Sequence, residues 1–110
     1  MQYESPEPVT PEVAEDVFLH GKPEEVSEAL VASALSGENR QWLEKWIIRL
    51  SRHRDPAVRS TSAVGLGHLA RLHGQVSQDA VDAVSRLRED SRTSGAAENA
   101  LEDIEIFCRA

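Results

Sequence analysis

Sliding the chain by 35 residues lays Asp55-Pro56-Ala57-Val58-Arg59 over Asp90-Ser91-Arg92-Thr93-Ser94, and this self-similarity limits the fold more than any other feature. Under the same shift Leu66 falls on Leu101, Leu69 on Ile104, and the small residue Gly65 on Ala100. A weaker echo puts Lys22-Pro23 at the start of an equivalent helix. Each unit reads as a pair of helices that cannot bury its apolar face alone, so neighbouring units must stack.

The punctuation within each unit is helical. Thr10 is a cap with Pro11 at the first helical position, followed by Val13, Val17 and Phe18, and His20-Gly21 ends that helix. Pro23 opens a second helix with Glu24 and Glu25 at its positive end, inner residues Val26, Ala29, Leu30, Ser33 and Ala34, and a stop at Gly37. Trp42, Leu43, Trp46, Ile47 and Leu50 form one stripe of a third helix predicted from Asn39 to His53, with Arg40, Lys45, Arg49 and Arg52 mainly opposite. Asp55-Pro56 starts a fourth, with Val58, Ser62, Gly65, Leu66 and Leu69 inward and His73-Gly74 at its end. Ser77 caps a fifth, which turns Ala80, Val81, Val84 and Leu87 inward. A sixth begins near Ser94 and carries Ala97, Ala100, Leu101, Ile104, Phe107 and Cys108. No segment alternates with the period of two that a half-buried strand requires.

The expected fold is therefore all-α, with residues 1–9 a loose proline-dotted tail and 10–110 one helical-repeat domain. The segment Asp55-Pro56-Ala57-Val58-Arg59 followed by Ala63-Val64-Gly65-Leu66-Gly67-His68-Leu69 resembles the turn and second helix of the HEAT-repeat family. That resemblance implies a short right-handed α-solenoid of about three HEAT-like helix pairs. In it the second helices, near 23–36, 56–73 and 94–109, line one concave face. It also implies that Asp55 and Arg59 belong to an acid–arginine ladder between repeats. Asp90 continues the ladder, while Ser94 stands where arginine is expected and Lys22 where the first acid is expected.

Charge is unevenly spread. Residues 1–30 hold eight acids against Lys22, residues 31–74 hold seven bases against three acids, and residues 75–110 hold eight acids against four arginines. The net −7 is thus two acidic ends around a basic middle. Such a surface repels nucleic acid and anionic membrane and favours basic partners at long range. The basic run of Arg40, Lys45, Arg49, Arg52, Arg54 and Arg59 beside Trp42 and Trp46 has the residue types of a nucleic-acid contact. The tryptophans are required in an apolar stripe, however, and the flanking acids oppose phosphate.

Chemistry finds little support. Gly65-Leu66-Gly67-His68-Leu69-Ala70 matches a dinucleotide fingerprint only formally, because it lies within a helix with no strand before it. Close helix–helix approach is the expected reason for both glycines. His20, His53, His68 and His73 form no ligand pair at metal spacing, and Cys108, the single cysteine, is expected in the core. A lone cysteine also suits a reducing, cytoplasmic setting. No apolar run is long enough for a membrane span. No cofactor, metal or small-molecule substrate is expected.

Small acidic HEAT-like proteins resemble bacterial immunity proteins that block a secreted toxin. That resemblance implies a non-catalytic binding module, an antitoxin for a basic toxin domain. Glu24, Glu28, Glu98, Glu102 and Glu105 are the carboxylates expected to meet partner lysines and arginines, with His68 and Arg71 as secondary contacts. A general HEAT adaptor is the alternative, and a nucleic-acid-binding repeat protein the next.

Overall fold

A computed structural model describes residues 10–36 and 39–108; the tail at 1–9 and the helix stop at Gly37 lie outside them. The described residues form six helices and no strand: α1 (Pro11–His20), α2 (Pro23–Ser36), α3 (Arg40–Leu50), α4 (Pro56–His73), α5 (Gln78–Arg86) and α6 (Ser94–Phe107), with a single 3₁₀ turn at Leu87–Glu89.

The helix starts follow the local chemistry. Thr10 Oγ1 accepts from the Val13 amide at 3.3 Å, Asp55 Oδ1 from Ala57 at 2.8 Å, and Ser77 Oγ from Ala80 at 3.2 Å. Each satisfies an amide that the first turn cannot pair internally. At α2 the Glu25 carboxylate reaches back to the Lys22 amide at 2.8 Å, as in a capping box. Gly74 ends α4 in the left-handed region, at φ 70°, with its amide on the Ala70 carbonyl.

Four local expectations need correction. The third helix stops at Leu50 rather than His53. There the Ser51 hydroxyl donates to the Ile48 carbonyl at 2.6 Å, the Arg52 and His53 amides bond three residues back, and His53 Nδ1 accepts from the Asp55 amide. These bonds close the chain into a turn where the apolar stripe had already ended. Val13 lies outside the core at 56% exposure, its inward role taken by Ala14 and Phe18. Phe107 is also exposed, because inner positions of α6 near its end are taken by Leu101, Ile104 and Cys108, all partly buried. Cys108 thus borders the core rather than filling it.

The packing places α4 at the centre. It lies against α6 on one side and α2 on the other, with α3 beneath. α1 packs on α2, and α5 packs on both α3 and α6. Val58, Ser62, Leu66 and Leu69 of α4 are fully buried, with Gly65 buried beside them. Each large aliphatic among them stabilises the fold by about 1.5–3 kcal/mol relative to exposure. The shortest extent, 23 Å, corresponds to two layers of helices.

The two glycines inside α4 differ. A Cβ on Gly67 would lie 3.1 Å from Asp103 Oδ2 and 3.6 Å from the Ala100 Cα, so α6 does approach closely there. A Cβ on Gly65 would meet Ile47 and Leu30 at 3.6 Å and 3.7 Å, ordinary contact distances. Close approach therefore accounts for Gly67 and not for Gly65.

Polar contacts tie the units together. Arg59 donates to Asp90 at 3.2 Å and to the His53 and Arg54 carbonyls at 2.8 Å and 3.0 Å. Asp90 also receives Arg92, whose side-chain and backbone hydrogen bonds, with Arg59 adding to them, hold its carboxyl down at about 2. Glu44, which the apolar pattern of α3 did not single out, is buried. Its Oε2 accepts from Arg40 at 2.9 Å and from the Ser77 amide at 2.8 Å, fixing the residue that caps α5.

Candidate partner-binding surface

With α2 and α6 flanking it and α3 beneath, α4 leaves one stripe uncovered: Ala57, Thr61, Val64, His68 and Arg71 at helical spacing. The corresponding stripe of α2 is Glu24, Glu28, Val31 and Leu35, all exposed or half-exposed. Its opposite side, Val26, Leu30 and Ala34, is fully buried. Glu24 and Glu28 therefore stand where the sequence places them, one turn apart on a solvent-facing stripe.

His68 and Arg71 are brought together. An Arg71 Nη2 donates to His68 Nδ1 at 2.7 Å, and Arg71 Nε lies 3.8 Å from Asp103 across the α4–α6 seam. Burial and the Arg71 charge lower the His68 pKa, with Asp103 opposing them. Neutral imidazole with Nδ1 as acceptor suits that contact. Asp103 is a member of this cluster that sequence reasoning missed. Its one signal was its position three residues after Ala100, on the small-residue edge that meets α4.

The α6 carboxylates are not brought to that cluster. Glu98, Glu102 and Glu105 are exposed, but Ala100 is the residue that abuts Gly67 of α4. At about 100° per residue, the three glutamates lie roughly 140–160° around the helix from that contact. They point away from α4, so α4 and its His68–Arg71 pair separate the two acidic groups.

The basic middle is partly used inside the molecule. The Trp42 and Trp46 indoles both donate to Glu15 Oε2 of α1, at 2.8 Å and 3.1 Å, and Phe18 packs against both rings. These indole hydrogen bonds hold the Glu15 carboxyl below its ordinary value, against the opposing effect of burial. Arg49 covers the Trp46 ring at 5.1 Å, Arg40 is engaged by Glu44, and Arg59 by Asp90. Neither tryptophan indole N–H is left over for another acceptor, since each has one donor.

Two hollows open on the surface. One, of about 430 Å³, is polar and lies between α3 and the start of α5, with Arg40, Glu44 and Ser77 in its wall. The other, of about 680 Å³, is an open apolar saddle over α2, reaching Val13 and Val17 of α1 on one side and Thr61 of α4 on the other. Val31, Ala32 and Leu35 form its floor, and Glu25 and Glu28 its acidic edge. Among the described residues no group of His, Cys, Asp and Glu is arranged to hold a metal ion. No helix among them is long and apolar enough to cross a membrane.

No family model matches the chain, and no curated protein matches it. Among solved structures, it is similar to a chain in the crystal structure of a CDI complex from Cupriavidus taiwanensis LMG 19424. The two are 27% identical, the likeness covers 99% of each chain, and the TM-score is 0.83.

Proposed function

We propose that this protein is a bacterial immunity protein: a non-catalytic module that binds a toxin domain of a contact-dependent inhibition system and neutralises it. The observation that carries the reading is the likeness to a chain of a CDI complex over essentially the whole of both chains. The arrangement of side chains supports binding rather than catalysis. Glu44 is tied to Arg40 and Ser77, and Glu15 to two indoles, so both act as structural partners.

The same reading takes α2, α4 and α6 as the inner row of a short right-handed HEAT-like solenoid. Support comes from the Arg59–Asp90 pair, which joins corresponding turns of consecutive units. The toxin domain is basic in this account. Glu24 and Glu28 at one end, and Glu98, Glu102 and Glu105 at the other, draw it in, with His68 and Arg71 between them. Charge of this kind mainly speeds association and selects the partner. The protein acts in the cytoplasm, where the lone cysteine stays reduced.

The test is co-expression with the candidate toxin domain encoded beside its gene. Growth should be restored only when this chain is present, and the two should co-purify as a complex whose affinity falls with salt. A toxin domain that remains active in the presence of this chain, with no complex formed, overturns the reading.

A further inference from the structure

The sequence names glutamates on both α2 and α6, and of these Glu28 is the one that lines an apolar hollow. Val13 and Leu35, on adjacent helices, are 56% and 57% exposed and border one continuous hollow with Val17, Val31 and Ala32. Its 680 Å³ would admit several side chains. The charged residues that line it, Glu25 and Glu28, are both acids, and residues 10–36 as a whole carry Glu12, Glu15, Asp16, Glu24, Glu25 and Glu28 against Lys22. Ser27 also lines the hollow, and among the described residues its Oγ is buried without a hydrogen-bond partner.

We infer that this saddle over α2 seats a cationic amphipathic segment of the protein partner, with apolar side chains among Val13, Val17, Val31 and Leu35 and flanking lysines or arginines on Glu24, Glu25 and Glu28. The inference rests on the immunity reading for the partner's identity, while the surface chemistry stands on the geometry alone. Charge complementarity selects the occupant. A neutral apolar segment would leave the glutamates desolvated and unpaired, and an acidic one would be repelled. The apolar seat supplies the central anchor and the glutamates the polar rim that interfaces commonly pair with it.

Two probes separate the surface from the function. The first is a synthetic helical peptide of roughly 18 residues, with leucine along one face and lysine elsewhere, titrated into the labelled full chain by NMR. Shifts should concentrate at Val13, Val17, Val31 and Leu35. Leu35→Lys should weaken binding about tenfold or more, as for loss of an anchor residue. Replacing the peptide's lysines with glutamate should abolish binding. Absence of binding, or shifts centred on α6, overturns the proposal.

The second probe is a toxin domain that this chain neutralises in the co-expression test. Here Leu35→Lys and, separately, Glu28→Lys should each weaken the complex about tenfold through faster dissociation, while Glu98→Lys with Glu102→Lys should act mainly by slowing association and leave the dissociation rate within about threefold. Both Leu35 and Glu28 are exposed, and unchanged melting establishes that the variants fold; Val13→Lys repeats the test from α1. Neutralisation that survives Leu35→Lys and Val13→Lys removes the docking site but leaves the immunity role. A peptide seated on the saddle with no toxin domain bound removes the immunity role but leaves the surface.

Discussion

Glu44→Ala should be among the most damaging single changes outside the apolar core. The carboxylate is 4% exposed and accepts two hydrogen bonds, from Arg40 at 2.9 Å and from the Ser77 amide at 2.8 Å. Losing the bond to a guanidinium costs about 1.5–3 kcal/mol, and an unpaired backbone amide about 1–3 kcal/mol. The adjoining polar hollow lets water reach part of the site, which argues for the lower end of both ranges. A total of about 2.5 kcal/mol follows, equivalent to a fall in Tm of roughly 10 °C for a domain of this size. Ser77 caps α5, so loosening its amide should also frays the first turn of that helix, and amide exchange at Ala80 and Val81 should accelerate. Calorimetry and hydrogen exchange read the two effects. A double-mutant cycle with Arg40→Ala should recover a coupling of at least about 1 kcal/mol. A Tm loss under about 4 °C with no coupling to Arg40 would refute the account of Glu44 as the clamp between α3 and α5.

Other consequences are equally direct. Gly65→Ala should stabilise the protein by about 0.5–1 kcal/mol in urea unfolding, since the added methyl meets only ordinary contacts and helix propensity improves. For Asp90, the folded carboxyl sits at about 2 against 3.8 for the free group, so the folded state binds fewer protons between those values. Its contribution is present above pH 3.8 and lost as pH falls toward 2; melting curves of Asp90→Asn and the parent should differ most near neutrality and converge near pH 2. The two tryptophans both bond Glu15, so indole emission should shift on acidification with a midpoint below 4.5, and Glu15→Gln should abolish that transition.

The starts of α1, α2, α4 and α5 were legible because caps and prolines act within one turn of chain, and Thr10, Asp55 and Ser77 perform in the structure the local bonds their residue types suggest. The buried stripes of α2 and α4 were legible for a similar reason: period 3.6 makes the inner face a property of spacing alone. Side chains whose partners lie far along the chain were not. Glu44 looks like one more surface acid of a charged helix until the turn before α5 folds over it, 33 residues away. Glu15 lies 27 and 31 residues from its two indoles, and Asp103 meets Arg71 only across a helix seam.

The candidate surface divides in the same way. Sequence alone determined that the ends are acidic and the middle basic, because charge is additive along the chain. It also marked Glu24, Glu28, Glu98, Glu102 and Glu105 as helical surface positions, since each falls outside an apolar stripe. Tertiary structure decided which way they point. The Gly67–Ala100 contact fixes the rotation of α6 and turns its glutamates away from α4, whereas burial of Leu30 turns Glu28 outward beside half-buried Val31 and exposed Leu35. A helix's own pattern specifies what it buries; only its neighbours specify what the remaining face can reach.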